Sequence, residues 1–394
     1  MFETVGTTGA LVSRIGALDS AEAVTLHGPT NYGIVYADGY LLYLRENTLM
    51  AQPFDEKRLL MTGEAVPVAD HLYSSFVSGG AVGAFSVSRE GLLAYAQGAA
   101  EDQQLTWFDR GGKEVEILGD PFDIGSVEFS PDRNSVAVDR VGQIIDLWIY
   151  PVARGLPNRF TFSPAADQFP IWSPDGKSIV YRSNPKGPFD LYRKAADGTG
   201  SEELLYADGA TKLPTGWSPD GQLLLFYRVD PKTRNDIWVL PLNDPTKPYP
   251  WLATPFNERN AKFSPHGRWV AYESDESGRY EIYVAPFPGP GGKRQISTGG
   301  GFTARWRADG REIFYGAPVA PGGKLMEAEI FIKGATIDVG AVRPLSVPVF
   351  LRQPYGYDVA ADGQRFLVAV PVEQKSTAPP ITLVQNWTTL LKKK

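Results

Sequence analysis

The sequence predicts an all-β chain folded as a single β-propeller of four-stranded antiparallel blades, and three observations carry that prediction. First, a short phrase, aromatic-Ser-Pro-Asp-Gly, recurs: F-S-P-D-R at 129–133, W-S-P-D-G at 172–176 and 217–221, and F-S-P-H-G at 263–267. Weaker copies are Y-A-D-G at 36–39, V-S-R-E-G at 87–91, W-R-A-D-G at 306–310 and V-A-A-D-G at 359–363. Second, the last residues of successive copies stand 52, 42, 43, 45, 46, 43 and 53 positions apart. A period in the forties with strand-like content is the spacing of propeller blades. Third, the 41 Gly and 32 Pro are spread along the chain as turn residues and form no low-complexity tract.

The elements follow in order. Residues 10–15 (A-L-V-S-R-I) and 22–27 (E-A-V-T-L-H) both read as strands ahead of the first repeat. Repeats begin near Tyr32, Gly83, Ile124, Gln168, Leu213, Asn260, Thr303 and Tyr355, which gives eight blades, with seven as the alternative. The unit from Gln168 to Asp208 shows the grammar best. Residues 170–173 form an inner strand, and Pro174-Asp175-Gly176 turns the chain, because Pro presets φ and Asp-Gly supplies the side-chain bond and positive φ of a tight hairpin. Residues 178–182 (S-I-V-Y-R) alternate with period two, 190–194 (D-L-Y-R-K) form a third strand, and 202–206 an outer fourth. Third strands elsewhere open on Asp146, Asp236 and Glu281, which are expected to bond backbone N–H groups where those strands begin. The last unit has three strands, at 357–360, 365–370 and 381–387, so residues 22–27 are expected to supply its fourth and close the ring. The expected domain is thus 1–394: a closing region at 1–28, repeats over 29–391 and a basic tail at 392–394.

Composition excludes several classes. Net charge is −6 with Lys and Arg dispersed, which argues against a nucleic acid partner. No stretch approaches the ~18 consecutive apolar residues of a membrane span, so no membrane insertion is expected, and residues 1–18 lack the pattern of a secretory signal. Cysteine is absent, which leaves the redox compartment open.

The search for chemistry returns little. His27, His71 and His266 fall in three different structural roles, giving no triad or zinc spacing. No G-x-S-x-G elbow, phosphate-binding glycine loop or kinase catalytic phrase occurs. The acidic loops at 230–236 and 275–281 do not match a calcium loop, and no cofactor is expected. One constellation survives. The residue before each aromatic shares an orientation around the ring: Val35, Ser86, Glu128, Ile171, Gly216, Lys262, Arg305 and Asp358. Two readings stand for its charged members, an ion-pair set inside the channel or an anchor for an anionic group at the channel mouth. On the second, Lys262 and Arg305 are the positive anchor, Asp358 orients one of them, Glu128 joins the set, and Phe169, Tyr355 and Tyr357 supply flat apolar surface.

The hairpins at 172–181 and 217–226 carry the x-S-P-D-G-x-x-[IL]-x-[FY] pattern, and on it the chain resembles the TolB-type propeller repeat family. Narrower phrases are Y-L-L-Y-L-R-E-N-T-L-M-A-Q-P-F-D at 40–55, L-T-W-F-D-R-G-G-K at 105–113, T-P-F-N-E at 254–258 and P-F-P-G-P-G-G-K at 286–293. These resemble the C-terminal propeller region of bacterial transmembrane serine/threonine protein kinases. Arg133 and His266 depart from the turn pattern. The resemblance implies a sensor-like part of a signalling protein, an extracytoplasmic location, and a kinase domain in a longer parent chain. The function expected is non-enzymatic recognition of a protein, peptide or small anionic ligand. The alternative is a propeller enzyme of the lactonase or lyase kind with a metal in the central channel.

Overall fold

The computed structural model describes residues 2–5, 11–16, 23–25, 34–45, 48–70, 72, 74–77, 80–88, 91–97, 102–142, 144–153, 155–289, 292–318, 323–334, 336–350, 355–372 and 381–392. Its strands fall into two compact units, Met1–Asp102 with Glu373–Lys394, and Gln103–Val372. The one helical element among the described residues is a short 3₁₀ turn at Trp387–Lys392, and no helix there is long and apolar enough to cross a membrane.

The second unit is a ring of six four-stranded antiparallel sheets. Blades two to five are continuous in sequence. Their inner strands are Asp167–Trp172, Lys212–Trp217, Glu258–Phe263 and Phe302–Trp306, each followed outward by three more strands in chain order. Blades six and one share Glu114–Phe129, a strand of 16 residues. Its first half pairs with Gln103–Asp109 as the outer edge of blade six, and its second half pairs with Ser135–Val141 as the inner strand of blade one. Blade six is completed from the other end of the unit, because Gln103–Asp109 also pairs with Arg365–Pro371, and that strand with Tyr357–Val359. Two strands from each end of the unit therefore make one blade, and no sheet edge is left at the junction.

Between neighbouring blades the inward alternation of both sheets makes a shared core. Trp269, Ala271, Ile282 and Val284 of blade four pack on Ala304, Ile313, Tyr315 and Ile330 of blade five, and Leu105, Leu367 and Ala369 of blade six pack on Ile124, Phe129 and Val138 of blade one. Each such side chain contributes ~1.5–3 kcal/mol on burial.

Three expectations are corrected. Ring closure falls to Gln103–Asp109, whose Leu105 and Trp107 face the blade-one core, and not to residues 22–27. Within 22–27 the described strand Ala23–Thr25 pairs with Leu11–Gly16. Strand Ile381–Gln385 pairs with Leu92–Ala96, and it keeps Ile381 and Leu383 exposed. The count of eight, with seven as its alternative, becomes six for this ring; the repeats beginning near Tyr32 and Gly83 lie in the first unit. Finally, only Glu281 among the strand-opening acids accepts a backbone N–H, from Gly300 at 2.9 Å. Asp146 pairs with Arg159 at 2.8 Å, Asp190 with Lys212 at 2.8 Å, and Asp236 accepts the Thr233 hydroxyl at 2.8 Å. An acid at a strand start is held by whichever donor its blade supplies.

The turn phrase builds what its residues dictate. In Ser173–Gly176 the serine hydroxyl donates to Asp175 at 2.6 Å and accepts Ser178 N–H at 2.9 Å, while Asp175 accepts Lys177 N–H at 3.0 Å. That serine bond, with the backbone bond, holds the Asp175 carboxyl below its usual range. Gly176 and Gly221 take φ of 71° and 72°. His266 replaces the aspartate in its copy and is exposed; the serine half survives, with Trp269 N–H donating to Ser264 at 3.2 Å.

Candidate functional site at the end of the axial channel

The inner strands of the ring do not run as plain pleats. Register shifts interrupt them between Ile124 and Val127, Gln168 and Ile171, Pro214 and Gly216, Arg259 and Lys262, and Phe302 and Arg305. An extra residue at these bulges breaks the period-two parity, so residues two to four positions before the aromatic join those just before it on the channel side. Three bulge residues are forced into left-handed backbone: Phe169 at φ 54°, Asn260 at 55° and Thr303 at 51°.

Just before the aromatics, the charged residues meet across the axis. Lys262 of blade four donates to both oxygens of Glu128 in blade one, at 2.8 and 3.0 Å. In a ring of six those blades are opposite, so this pair bridges the channel and shuts it at that level. Arg305 lies 3.1 Å from Glu128 through Nη2 and 3.2 Å from Asp358 through Nε, and its Nη2 donates to Val127 O at 3.3 Å. The Nε–H is close to Asp358 without pointing at it as a hydrogen bond would. Asp358 is buried and accepts Phe129 N–H at 2.8 Å. Burial pushes the Lys262 ammonium down against the pull of Glu128, whereas the Arg305 guanidinium is held up, burial notwithstanding, by Glu128 and Asp358. Within the set the charges are paired with one another: Lys262 and Arg305 with Glu128, and Arg305 with Asp358.

Beside the bridge lies a narrow, solvent-open cavity of about 30 Å³. Glu128, Lys262 and Arg305 line it with Phe169, Tyr355, Leu213, Pro214, Asn260 and Thr303. Phe169 and Tyr355 meet edge to face with centroids 5.0 Å apart, and the Tyr355 hydroxyl donates to Asn260 at 3.0 Å. Thr303 is 2% exposed and its hydroxyl has no partner. Tyr357 is corrected from the expected surface: it is 1% exposed in the core between blades five and six, and its hydroxyl donates to Thr303 O.

A second polar layer flanks the cavity, and the sequence reading missed it. Arg259 reaches Glu273 at 2.7 Å and stacks 3.7 Å over Tyr280. Glu273 also accepts Asn260 Nδ2 and Thr303 N–H, both at 2.6 Å. Asp139 accepts the Ser126 hydroxyl, and burial pushes its carboxyl up to about 6 despite that bond. Arg182 donates through Nε and Nη2 to Gln168 at 3.0 and 2.6 Å, between the rings of Phe169 at 4.6 Å and Phe189 at 4.1 Å. The signal for this layer was the bulge, which no residue type announces. His27 and His71 lie outside the described residues, and among the described residues no group of three or more metal-ligating side chains converges.

No family model matches this chain. It is 26% identical over 103 residues to an uncharacterized protein of Agrobacterium fabrum, a match covering 26% of this chain and about a third (35%) of the relative. Among solved structures it is similar to a putative TolB from Agrobacterium tumefaciens, with TM-score 0.54 and 16% identity over 69% of this chain and 99% of that one. It also aligns with TolB from Acinetobacter baumannii (TM-score 0.46, 18% identity, 74% and 79% covered) and with an oligogalacturonate lyase from Vibrio parahaemolyticus (TM-score 0.46, 10% identity, 77% and 82% covered). At these identities the likeness is one of architecture: the chain carries a TolB-like β-propeller fold.

Proposed function

We propose that the ring of Gln103–Val372 is a recognition module that binds a peptide or small ligand over the mouth of this cavity, at the end of its axial channel. The carrying observation is that the Lys262–Glu128 pair, bridging the axis at 2.8 Å, lines this cavity together with Arg305. Its wall is mostly apolar, with a few fixed polar groups, as ligand sites are. Left-handed backbone at Phe169, Asn260 and Thr303 concentrates strain around it, a pattern found where ligands are held. The charged set serves as a braced floor. Lys262 and Arg305 are already neutralised by Glu128 and Asp358, so they supply an anionic ligand with hydrogen bonds more than with spare charge. The same pairing occupies the two carboxylates on which a metal-dependent lyase or lactonase reading would rest. By the resemblance in sequence, we assign the module to a sensor-like role in signalling, outside the cytoplasm, with a protein or peptide partner.

The test is a library of N-acetylated tetrapeptides screened by thermal shift against the full chain and against Thr303→Phe, which fills the cavity without removing a hydrogen bond. Members that raise the melting temperature of the wild type and leave the variant unmoved are expected. An equal response from both proteins places binding elsewhere and overturns the reading.

A further inference from the structure

The turns that end the inner strands are not packed alike around the ring. At blade four, a Cβ on Gly267 would come within 3.3 Å of Pro219 in the turn of blade three, and at blade five one on Gly310 would come within 3.7 Å of Pro265. On Gly176 of blade two and Gly221 of blade three it would meet nothing within 4 Å. Between the turns of blades one and two the gap widens into a cavity of about 460 Å³, room enough for a long side chain. Pro131 and Asp132 line it from blade one, and Trp172, Pro174, Asp175 and Gly176 from blade two. Trp172 is half-buried, packed against the core of Leu147 and Ile179.

The charge in this cavity is negative. Asp132 and Asp175 form no ion-pair contact among the described residues. Lys177 acts on Asp175 electrostatically without touching it, and Arg133 is turned away, donating to Val359 O of blade six at 3.0 Å. The Ser130 and Ser173 hydroxyls, with the N–H groups of Asn134 and Lys177, bond the two Oδ1 atoms and hold both carboxyls below their usual range. Asp175 Oδ2 accepts no hydrogen bond among the described residues, so one oxygen is left for a ligand.

We propose that the cavity between the first two turns is a docking site for an arginine side chain of a partner peptide, separate from the site at the channel end. The class follows from charge and shape. Two carboxylates against one nearby ammonium leave one negative charge to be met. A planar guanidinium stacks on an indole and on proline faces while its N–H fork bonds a carboxylate oxygen, whereas an ammonium gains only the charge. A calcium ion needs six to eight oxygens, and among the described residues no group of three metal-ligating side chains converges.

The experiment titrates acetyl-Gly-Arg-Gly-amide, and its lysine and citrulline counterparts, into the full chain by calorimetry at low salt. The arginine peptide should bind at least about tenfold more tightly than citrulline, its uncharged isostere, with lysine between them. Asp175→Asn removes the charge and keeps an acceptor for the turn; it should weaken arginine binding about tenfold and leave citrulline unchanged. Lys177→Gln should strengthen arginine binding about two- to threefold. Asp220→Asn alters the same position of the blade-three turn, outside this cavity, and should change nothing. Failure of the arginine peptide to bind, or equal affinity for arginine and citrulline, overturns the proposal. Tighter binding of lysine, or displacement of the arginine peptide by calcium chloride, overturns the class assigned. An equal loss in Asp220→Asn shows general attraction to an acidic face and overturns the site. If Asp175→Asn does not fold, Lys177→Gln carries the test, and unchanged affinity there overturns the proposal.

Discussion

Arg133 stands where five later copies of the turn carry glycine, yet it takes the same left-handed backbone, φ 60° against 71° at Gly176. A side chain in that region costs roughly 1 kcal/mol. The offset is visible: Arg133 Nη1 donates to Val359 O of blade six at 3.0 Å, and its guanidinium lies 5.2 Å over Phe129. The departure from the pattern is therefore a tie between blades and not a weakened turn. Glu258 presents a cost of another kind. It is 1% exposed, held by the Thr254 hydroxyl, and burial pushes its carboxyl up to about 7. Its folded pKa lies above the unfolded value near 4.3, so the folded state holds the extra proton between those two points. Stability from this group is complete below about pH 4 and declines as pH rises toward 7. Asp139 and Asp167, both raised by burial to about 6, act in the same direction. Glu258→Gln should leave stability at pH 5 nearly unchanged and raise it at pH 8 by on the order of 2–3 kcal/mol. Denaturant unfolding at the two pH values reads this out, and an equal effect at both would sink it.

The inner strand is the element that joins fold to site. Its turn and its aromatic were readable in the sequence, because Pro, Asp and Gly each fix a dihedral or a bond locally. Its bulge was not, since the extra residue is Ser126-Gly125 in one blade, Phe169 in another and Asn260 or Thr303 in others. What drives the bulge is the fit of converging strands around an axis. The candidate site was accordingly half visible: Glu128, Lys262, Arg305, Phe169 and Tyr355, which line the cavity, were singled out in the sequence, while Asn260 and Thr303 of its lining and Glu273 that binds them both were not. The charged set predicts an order of mutational effects. Arg305 contacts two carboxylates and a carbonyl, so Arg305→Ala leaves Glu128 with Lys262 alone and Asp358 with only a distant Arg133, at 3.9 Å. That should cost about 3 kcal/mol or more. Lys262→Ala leaves Glu128 with Arg305 and should cost less. Thermal denaturation of the two variants decides the matter, and the reverse order would show that the bridge across the axis governs stability.

For the whole ring, the repeat spacing named the architecture but not the number of blades. Copies of the turn phrase continue upstream of the ring at intervals of 42 and 52, and nothing in a single turn phrase marks where one ring stops. The closing strand was misassigned for a related reason. Residues 22–27, 103–109 and 381–387 are all strand-like, and only three-dimensional fit selects Gln103–Asp109, whose Leu105 and Trp107 meet the blade-one core. The observed pairings give the second unit a closed set of sheets of its own. A fragment of residues 103–372 should therefore unfold in one cooperative transition, and removal of residues 1–28 from the full chain should leave that transition in place. Circular dichroism with calorimetry on the fragment checks this, and a chain without a cooperative transition would contradict it.

The shared blade also fixes how the ring responds to a pull. Gln103, the first residue of the unit's first strand, pairs with Pro371 at the end of its last, and the next rungs run inward from there to Asp109 and Arg365. Tension on the two flanking segments thus enters at one end of a single antiparallel ladder and loads its hydrogen bonds one after another, as in peeling tape. The rungs give way singly in this direction, where a sideways shear would have to break them together. The clasp that resists heat as one cooperative blade is, under tension, a zipper with its tab at residues 103 and 371.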